Sequence, residues 1–329
     1  MALAIGGCQK AENHEAVPDT MDLVFTLGGA TKAGAEDETV DHWTLLLFDA
    51  SSGEKVFHRE NTAAGSAQCQ VKGGRRYIAY ALVNFPSEGE GWTDPSLISK
   101  LEQMEALGFT LSGNRHDMLC MSGKCIPQEG LNIIRVSRLV SKIEIREIKL
   151  LKDAAAVLPE DLTLERIYVT NALTHGLIDR DYEPLEVPGD FQYWYNALSF
   201  HGSGLNNNLD AVLVSDYIGE VLRDGESYNY DGAFYTVPNT TPESSDSKGG
   251  EWCRRCTRLV LQTDSGGEKY YYCVTLPAMK RNNCYTITKA TIKNVGALDS
   301  ETEVPGAIDI AFSNEILTWD NEFSCSEIS

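Results

Sequence analysis

The stretch Leu131-Asn-Ile-Ile-Arg-Val-Ser-Arg-Leu-Val-Ser-Lys-Ile-Glu-Ile-Arg-Glu-Ile-Lys-Leu150 decides the fold. Its β-branched residues, among them Ile133, Ile134, Val136, Val140, Ile143, Ile145 and Ile148, suit extended chain packed on a pleated surface. Arg135, Arg138, Lys142, Arg146 and Lys149 are spread through the same run. A long strand with one solvated face accounts for them, because Lys and Arg stems cover apolar surface while their charges stay in water. The competing reading is a strip for a polyanion, built from six basic residues through Lys152 against Glu144 and Glu147.

Working outward, the same pattern recurs. Leu23, Phe25 and Leu27 alternate with Val24 and Thr26, which predicts a strand with one strongly apolar face. His42–Phe48 and Arg76–Phe85 are nearly continuous in apolar or aromatic residues and read as central sandwich strands. A helical spacing appears in Leu97–Leu107, with Leu97, Leu101, Met104 and Leu107 on one side. Downstream, strands are predicted at Leu162–Val169, Ala211–Val214, Ala233–Val237, Arg258–Gln262 and Lys269–Leu276. Three more follow at Tyr285–Lys293, Ala307–Phe312 and Ile316–Phe323. Thr240–Gly250 and Leu205–Asp210 read as surface connections. The fold class is therefore all-β with a minor helix, as two tandem β-sandwich domains covering residues 22–150 and 151–329.

The first residues, Met-Ala-Leu-Ala-Ile-Gly-Gly-Cys8, look like a bacterial lipobox, in which small residues flank the cut and the cysteine thiol takes the lipid. Residues 1–8 would be a signal remnant with lipid attachment at Cys8, and residues 9–21 a flexible acidic tether. No other apolar stretch approaches the ~18 residues of a spanning helix, so membrane contact is through the lipid alone.

The 329 residues hold 28 Lys and Arg against 48 Asp and Glu, a net charge of −20. Nucleic acid is thereby disfavoured as a partner, since a binder must neutralise phosphates with a basic face. Residues 1–41 hold eight acids and two lysines, a net of −6, so part of the acidity keeps a surface segment extended. Nine cysteines divide into Cys8 and eight internal ones whose pairing the sequence leaves open.

Motifs for chemistry are weak. Trp252-Cys253-Arg254-Arg255-Cys256 has the form of a thiol redox site, but a strand-like run follows it where a helix N-terminus is needed to stabilise the thiolate. Cys253, Cys256, Cys273 and Cys284 lack the second close pair of a zinc site. Asp179-x-Asp181-x-Glu183 resembles the start of a calcium loop, with Pro184 where a turn glycine belongs. No hydrolase, zinc-protease, phosphate-loop or dinucleotide motif is present. The reading is a non-enzyme with no catalytic residue, no metal and no cofactor.

Several runs resemble the Bacteroidales fimbrillin family, the subunits of type V pili. They are Met121-Ser122-Gly123 ahead of Arg138-Leu-Val-Ser-Lys142-Ile143-Glu-Ile145, Leu164-Glu-Arg-Ile167-Tyr-Val169-Thr-Asn171 and Phe234-Tyr235-Thr-Val-Pro238-Asn239. Thr257-Arg258-Leu259-Val260, Tyr271-Tyr272, Asn283-Cys-Tyr285 and Trp319 follow in the family's order. The resemblance implies transthyretin-like sandwiches and a structural subunit of a surface fimbrium that contributes to adhesion. It implies a lipid-anchored precursor at the cell outer membrane, cut by a trypsin-like protease and assembled with other fimbrial subunits by donor-strand exchange. The displaced strand would carry Leu23, Phe25 and Leu27. Cleavage would fall at Lys32, in place of the family's arginine, and the candidate donor strand carries Ile308, Ile310, Phe312, Leu317 and Trp319. The second reading is a surface lipoprotein that binds host glycan or protein without polymerising, with Trp92, Trp194 and Tyr195 as stacking aromatics.

Overall fold

The structure, a computed structural model, describes residues 19–28, 39–62, 65–86, 93–111, 118–154, 156, 158, 161–173, 175–179, 194–195, 213–241, 256–300, 302–313 and 317–318. It is an all-β sandwich protein with one short α-helix among these residues. The first strands are β1 (Thr20–Gly28), β2 (His42–Asp49), β3 (Lys55–Thr62), β4 (Ala67–Lys72) and β5 (Tyr77–Val83). After a 3-10 turn at Pro95–Leu97 come α1 (Leu101–Glu105), β6 (Gly108–Thr110), β7 (Met121–Cys125), β8 (Gly130–Arg135) and β9 (Ser137–Arg138). A three-stranded sheet of order β4-β1-β8 faces a five-stranded sheet of order β3-β2-β5-β7-β9. Leu23, Phe25, Trp43, Leu45, Leu47, Val83 and Ile134 form the core between them.

The next strands are β10 (Ser141–Ile145), β11 (Glu147–Leu150), β12 (Asp161–Thr170), β13 (Ala172–Leu173), β14 (His175–Leu177) and β15 (Trp194–Tyr195). They are followed by β16 (Glu220–Arg223), β17 (Ser227–Asn229), β18 (Ala233–Thr236) and β19 (Arg258–Ser265). The last are β20 (Glu268–Thr275), β21 (Asn283–Ile292), β22 (Ile308–Phe312) and β23 (Leu317–Thr318). Here β10, β11, β17, β18, β21, β22 and β23 make one sheet, and β16-β12-β19-β20 makes the sheet packed on it.

The near-continuous burial of β2 has a physical cause. Trp43, Leu45 and Leu47 face the three-stranded sheet, whereas Leu46 and Phe48 enter the larger core with Met104, Phe109 and residues of the later sheets. Both faces of the five-stranded sheet are thus covered, which removes the usual polar alternation. The helical reading of Leu97–Leu107 shrinks to α1 with a 3-10 turn before it. Met104 and Leu107 are buried as the spacing predicts, but Leu97 stands 73% exposed.

The run 131–150 is not one strand. It is divided among β8, β9, β10 and β11, which lie in three different sheets. Lys142–Ile145 pairs in parallel with Cys284–Ile287, and Ile148–Leu150 with Ala290–Ile292. The change of sheet falls between Arg138 and Ser141, so β10 and β11 pair with strands from the later part of the chain. Nor is the basic face uniformly solvated, since Arg138 is buried and donates through its main-chain N–H to the Asn282 Oδ1 at 3.2 Å.

Candidate functional site

β1 is the central strand of its sheet. It runs antiparallel to β4, with Leu23 opposite Cys69 and Phe25 opposite Ala67, and parallel to β8, with Phe25 opposite Asn132 and Leu27 opposite Ile134. Leu23 and Phe25 are fully buried, and Leu27 packs half-buried on the same core. Burying the first two stabilises this docking by about 1.5–3 kcal/mol each. The outward face is polar at Asp22, which accepts a hydrogen bond from Gln70 at 3.0 Å. It is apolar over β8, where Leu131 and Ile133 are exposed. Burial pushes the thiols of Cys69 and Cys125 up from their ordinary values, as befits side chains packed against this core.

On the far side of residues 29–38 the chain is fixed by a separate set of bonds. Asn84, buried and with φ of +58°, accepts from the Asp41 amide at 2.9 Å and donates to the carbonyls of Thr39 at 2.7 Å and Leu119 at 3.0 Å. The His42 ring Nε2 lies 2.8 Å from the Phe85 carbonyl. These bonds belong to the five-stranded sheet and β1 to the three-stranded one. A break within residues 29–38 would leave β1 held only by its sheet pairs and its buried side chains. Lys32 itself lies outside the described residues, as does Cys8.

The carboxyl-terminal candidates sit at a sheet edge. β22 pairs antiparallel with β21, with Ile310 opposite Ala290 and Ile308 opposite Ile292, and β23 continues along the same strand with Leu317 opposite Cys284. Ile308 and Ile310 are half-buried against the larger core, but Phe312, expected on the inward face, is 38% exposed. The strand begins after Gly306, whose φ of +76° turns the chain. It is held by the Lys293–Asp309 ion pair, by the Ala311 carbonyl accepting from Thr288 at 3.0 Å and by the Ser313 amide donating to the Thr286 carbonyl at 2.8 Å. Trp319 lies outside the described residues.

The remaining sequence candidates are dispersed. Cys256, Cys273 and Cys284 are buried, the first two donating to the carbonyls of Thr241 and Ser300. Cys253, Asp181, Glu183 and Trp92 lie outside the described residues, and Asp179 pairs with Lys124 at 2.6 Å. Among the described residues no helix is long and apolar enough to cross a membrane. Sequence reading missed Asn84, whose signal was an Asn at the end of a strong strand, the place where a left-handed residue is tolerated.

No family model matches the chain, and no curated protein matches it in sequence. Solved structures do. A "putative cell adhesion protein" from Bacteroides eggerthii DSM 20697 superposes with a TM-score of 0.64 at 15% identity, covering 90% of this chain and 95% of that one. A second protein of the same description, from Parabacteroides distasonis ATCC 8503, gives 0.62 at 13% identity over 90% and 98%. A fimbrilin from Porphyromonas gingivalis W83 gives 0.57 at 14% identity over 88% and 96%. The chain has the all-β sandwich fold of these proteins.

Proposed function

We propose that the chain is a structural subunit of a cell-surface fimbrium and contributes to adhesion, assembling with other fimbrial subunits by strand exchange after a trypsin-like protease frees its first strand. The observation that carries this reading is the setting of β1. It is a central strand with Leu23 and Phe25 fully buried, yet it belongs to a different sheet from the bonds that fix the chain at Thr39–His42. Loss of β1 would open β4 and β8 as unpaired edges and uncover Trp43, Leu45 and Leu47, a surface that requires a replacement strand.

β22 has the complementary properties. It holds one sheet partner among the described residues, and Ile308, Ile310 and Phe312 recur at the spacing of Leu23, Phe25 and Leu27 while still partly exposed. Completing their burial in a neighbour's groove offsets the bonds lost to β21. On this reading Cys8 carries the lipid that anchors the precursor at the outer membrane and Lys32 is the cleavage point. The chain divides into two domains at the change of sheet near residue 139, in place of 150.

Limited trypsin treatment of the purified chain followed by electron microscopy tests the proposal. A cut at Lys32 should yield filaments or high oligomers, and Lys32→Ala should block assembly with unchanged soluble yield. Cleavage at Lys32 that leaves only monomers would sink the reading.

A further inference from the structure

Three connections meet at one end of the first sandwich: residues 50–54 between β2 and β3, residues 73–76 between β4 and β5, and the segment after β7 that begins at Ile126. Between them lies a cleft of about 330 Å³. Its polar lining includes Ser51, Arg75 and Arg76, and its apolar lining Ala50, Ile78 and Ile126. Ile126 is 62% exposed, so uncovered apolar surface stands beside the two guanidinium groups.

Those two groups are held differently. Arg75 donates to Asp49 at 2.7 Å, and that carboxylate is 1% exposed and also accepts from the Ser51 hydroxyl and the Ser52 amide. A buried acceptor thus orients Arg75 while about half of its side chain stays open to solvent. The Arg76 main chain is fixed as well, its carbonyl accepting from the Ala50 amide at 2.9 Å. The Arg76 side chain is exposed and has no acidic partner among the described residues.

The charge here departs from that of the chain. Residues 61–87 contain no Asp or Glu, yet Lys72, Arg75 and Arg76 fall within them, in a protein whose net charge is −20. No acid is among the described residues that line the cleft. A fitting ligand therefore brings an anion, and planar guanidinium groups favour a carboxylate, which takes two N–H donors at once. The Ser51 oxygen, having given its hydrogen to Asp49, is left to accept from a ligand hydroxyl. Ile78 and Ile126 ask for an apolar face on the same molecule. A sugar that carries a carboxylate has all three.

We propose that this cleft binds an acidic sugar, with the carboxylate on Arg76 and Arg75 and the ring against Ile126. Its volume stands at the low end of the ~300–1,000 Å³ of ligand pockets, which suits the terminal residue of a glycan. The assignment is independent of strand exchange, because no group it uses lies on β1 or β22.

Titration of the isotopically labelled chain with glucuronate, galacturonate and N-acetylneuraminate, read by the methyl signals of Ile78 and Ile126, tests it. At least one of the three should shift both signals and saturate, and glucose should shift neither. Arg76→Ala, a change at an exposed side chain, should weaken that binding about tenfold, the loss expected for a charge-assisted hydrogen bond. Arg76→Lys should recover only part of it, since an ammonium does not present a fork to two oxygens. The methyl spectrum of each variant shows whether the fold is kept. No saturation with any of the three acids, or affinity unchanged by Arg76→Ala, would overturn the proposal. Inorganic sulfate binding as tightly as the sugar acids would overturn the sugar assignment and leave a general anion site.

Discussion

Gly123 of β7 lies so close to the Arg135 carbonyl that a β-carbon at position 123 would stand 2.1 Å from that oxygen. This is the corner where the chain leaves the three-stranded sheet at β8 and joins the five-stranded one at β9, which pairs with β7 at Ser122 and Met121. Backbone against backbone leaves no flexible side chain to move aside. Gly123→Ala is therefore expected to destabilise the fold by at least ~1–3 kcal/mol, the range for overpacked sites. Urea denaturation would show a lower midpoint, and a midpoint equal to that of the natural chain would refute the corner argument.

The anchors of β1 and β22 should respond very differently to truncation. Phe25→Ala removes a fully buried ring and is expected to cost about 3–5 kcal/mol. Phe312→Ala removes a side chain already 38% exposed on an edge strand and should cost about 1 kcal/mol or less in the isolated subunit. Paired denaturation curves check this, and equal losses would contradict the difference in burial.

Asn84 fixes Thr39, Asp41 and Leu119 through one side chain while holding a left-handed backbone. Asn84→Gly keeps the backbone freedom and removes the bonds. A loss of about 2–3 kcal/mol is expected, because the buried carbonyls and the amide are left unpaired. Asn84→Ala should lose more, since it adds the cost of φ at +58° to the same lost bonds. Thermal melts of both variants would show the order.

Asp49 closes the β2–β3 connection. Its carboxylate accepts from the Ser51 hydroxyl at 2.5 Å, the Ser51 and Ser52 amides at 2.9 and 3.1 Å, and Arg75 at 2.7 Å. These bonds, the Ser51 hydroxyl first and then Arg75, hold its pKa well below the carboxylate range. The stability it contributes is therefore fully present above the unfolded value of about 3.9 and is lost as pH falls below it toward the folded value. The difference in melting temperature between the natural chain and Asp49→Asn should be constant from about pH 7 to about pH 5 and shrink below about pH 4. A gap that widens on acidification would contradict this assignment.

The parts of the fold legible in the sequence are those written locally. Leu23 and Phe25 announce a strand face by alternation alone, and the burial found for them follows that period. The break in 131–150 is also marked by the parity of its buried positions. Burial falls on even positions at Asn132 and Ile134, on odd ones at Ser141, Ile143 and Ile145, and on even ones again at Ile148 and Leu150. A strand of period two cannot change parity without a turn or bulge, so the shifts mark the change of sheet and the interruption at Arg146. What no local pattern could supply is long-range partnership. His175–Leu177 pairs with Gly108–Thr110, and β1 takes a parallel neighbour more than a hundred residues away. Arg135 and Arg281, far apart in sequence, likewise line one cleft only through long-range packing.

The run from β8 to β11 also determines how the molecule bears load. Its backbone runs through three sheets without interruption, so tension drawn along it passes from β9 to β10 through the covalent bonds at residues 139 and 140. Beyond that point β10 and β11 lie parallel to β21 over Lys142–Ile145 and Ile148–Leu150. A pull along these strands strains their hydrogen bonds side by side and at once, where a pull across them would undo one at a time. The geometry is that of a shear joint, with its strength set by the number of bonds loaded together.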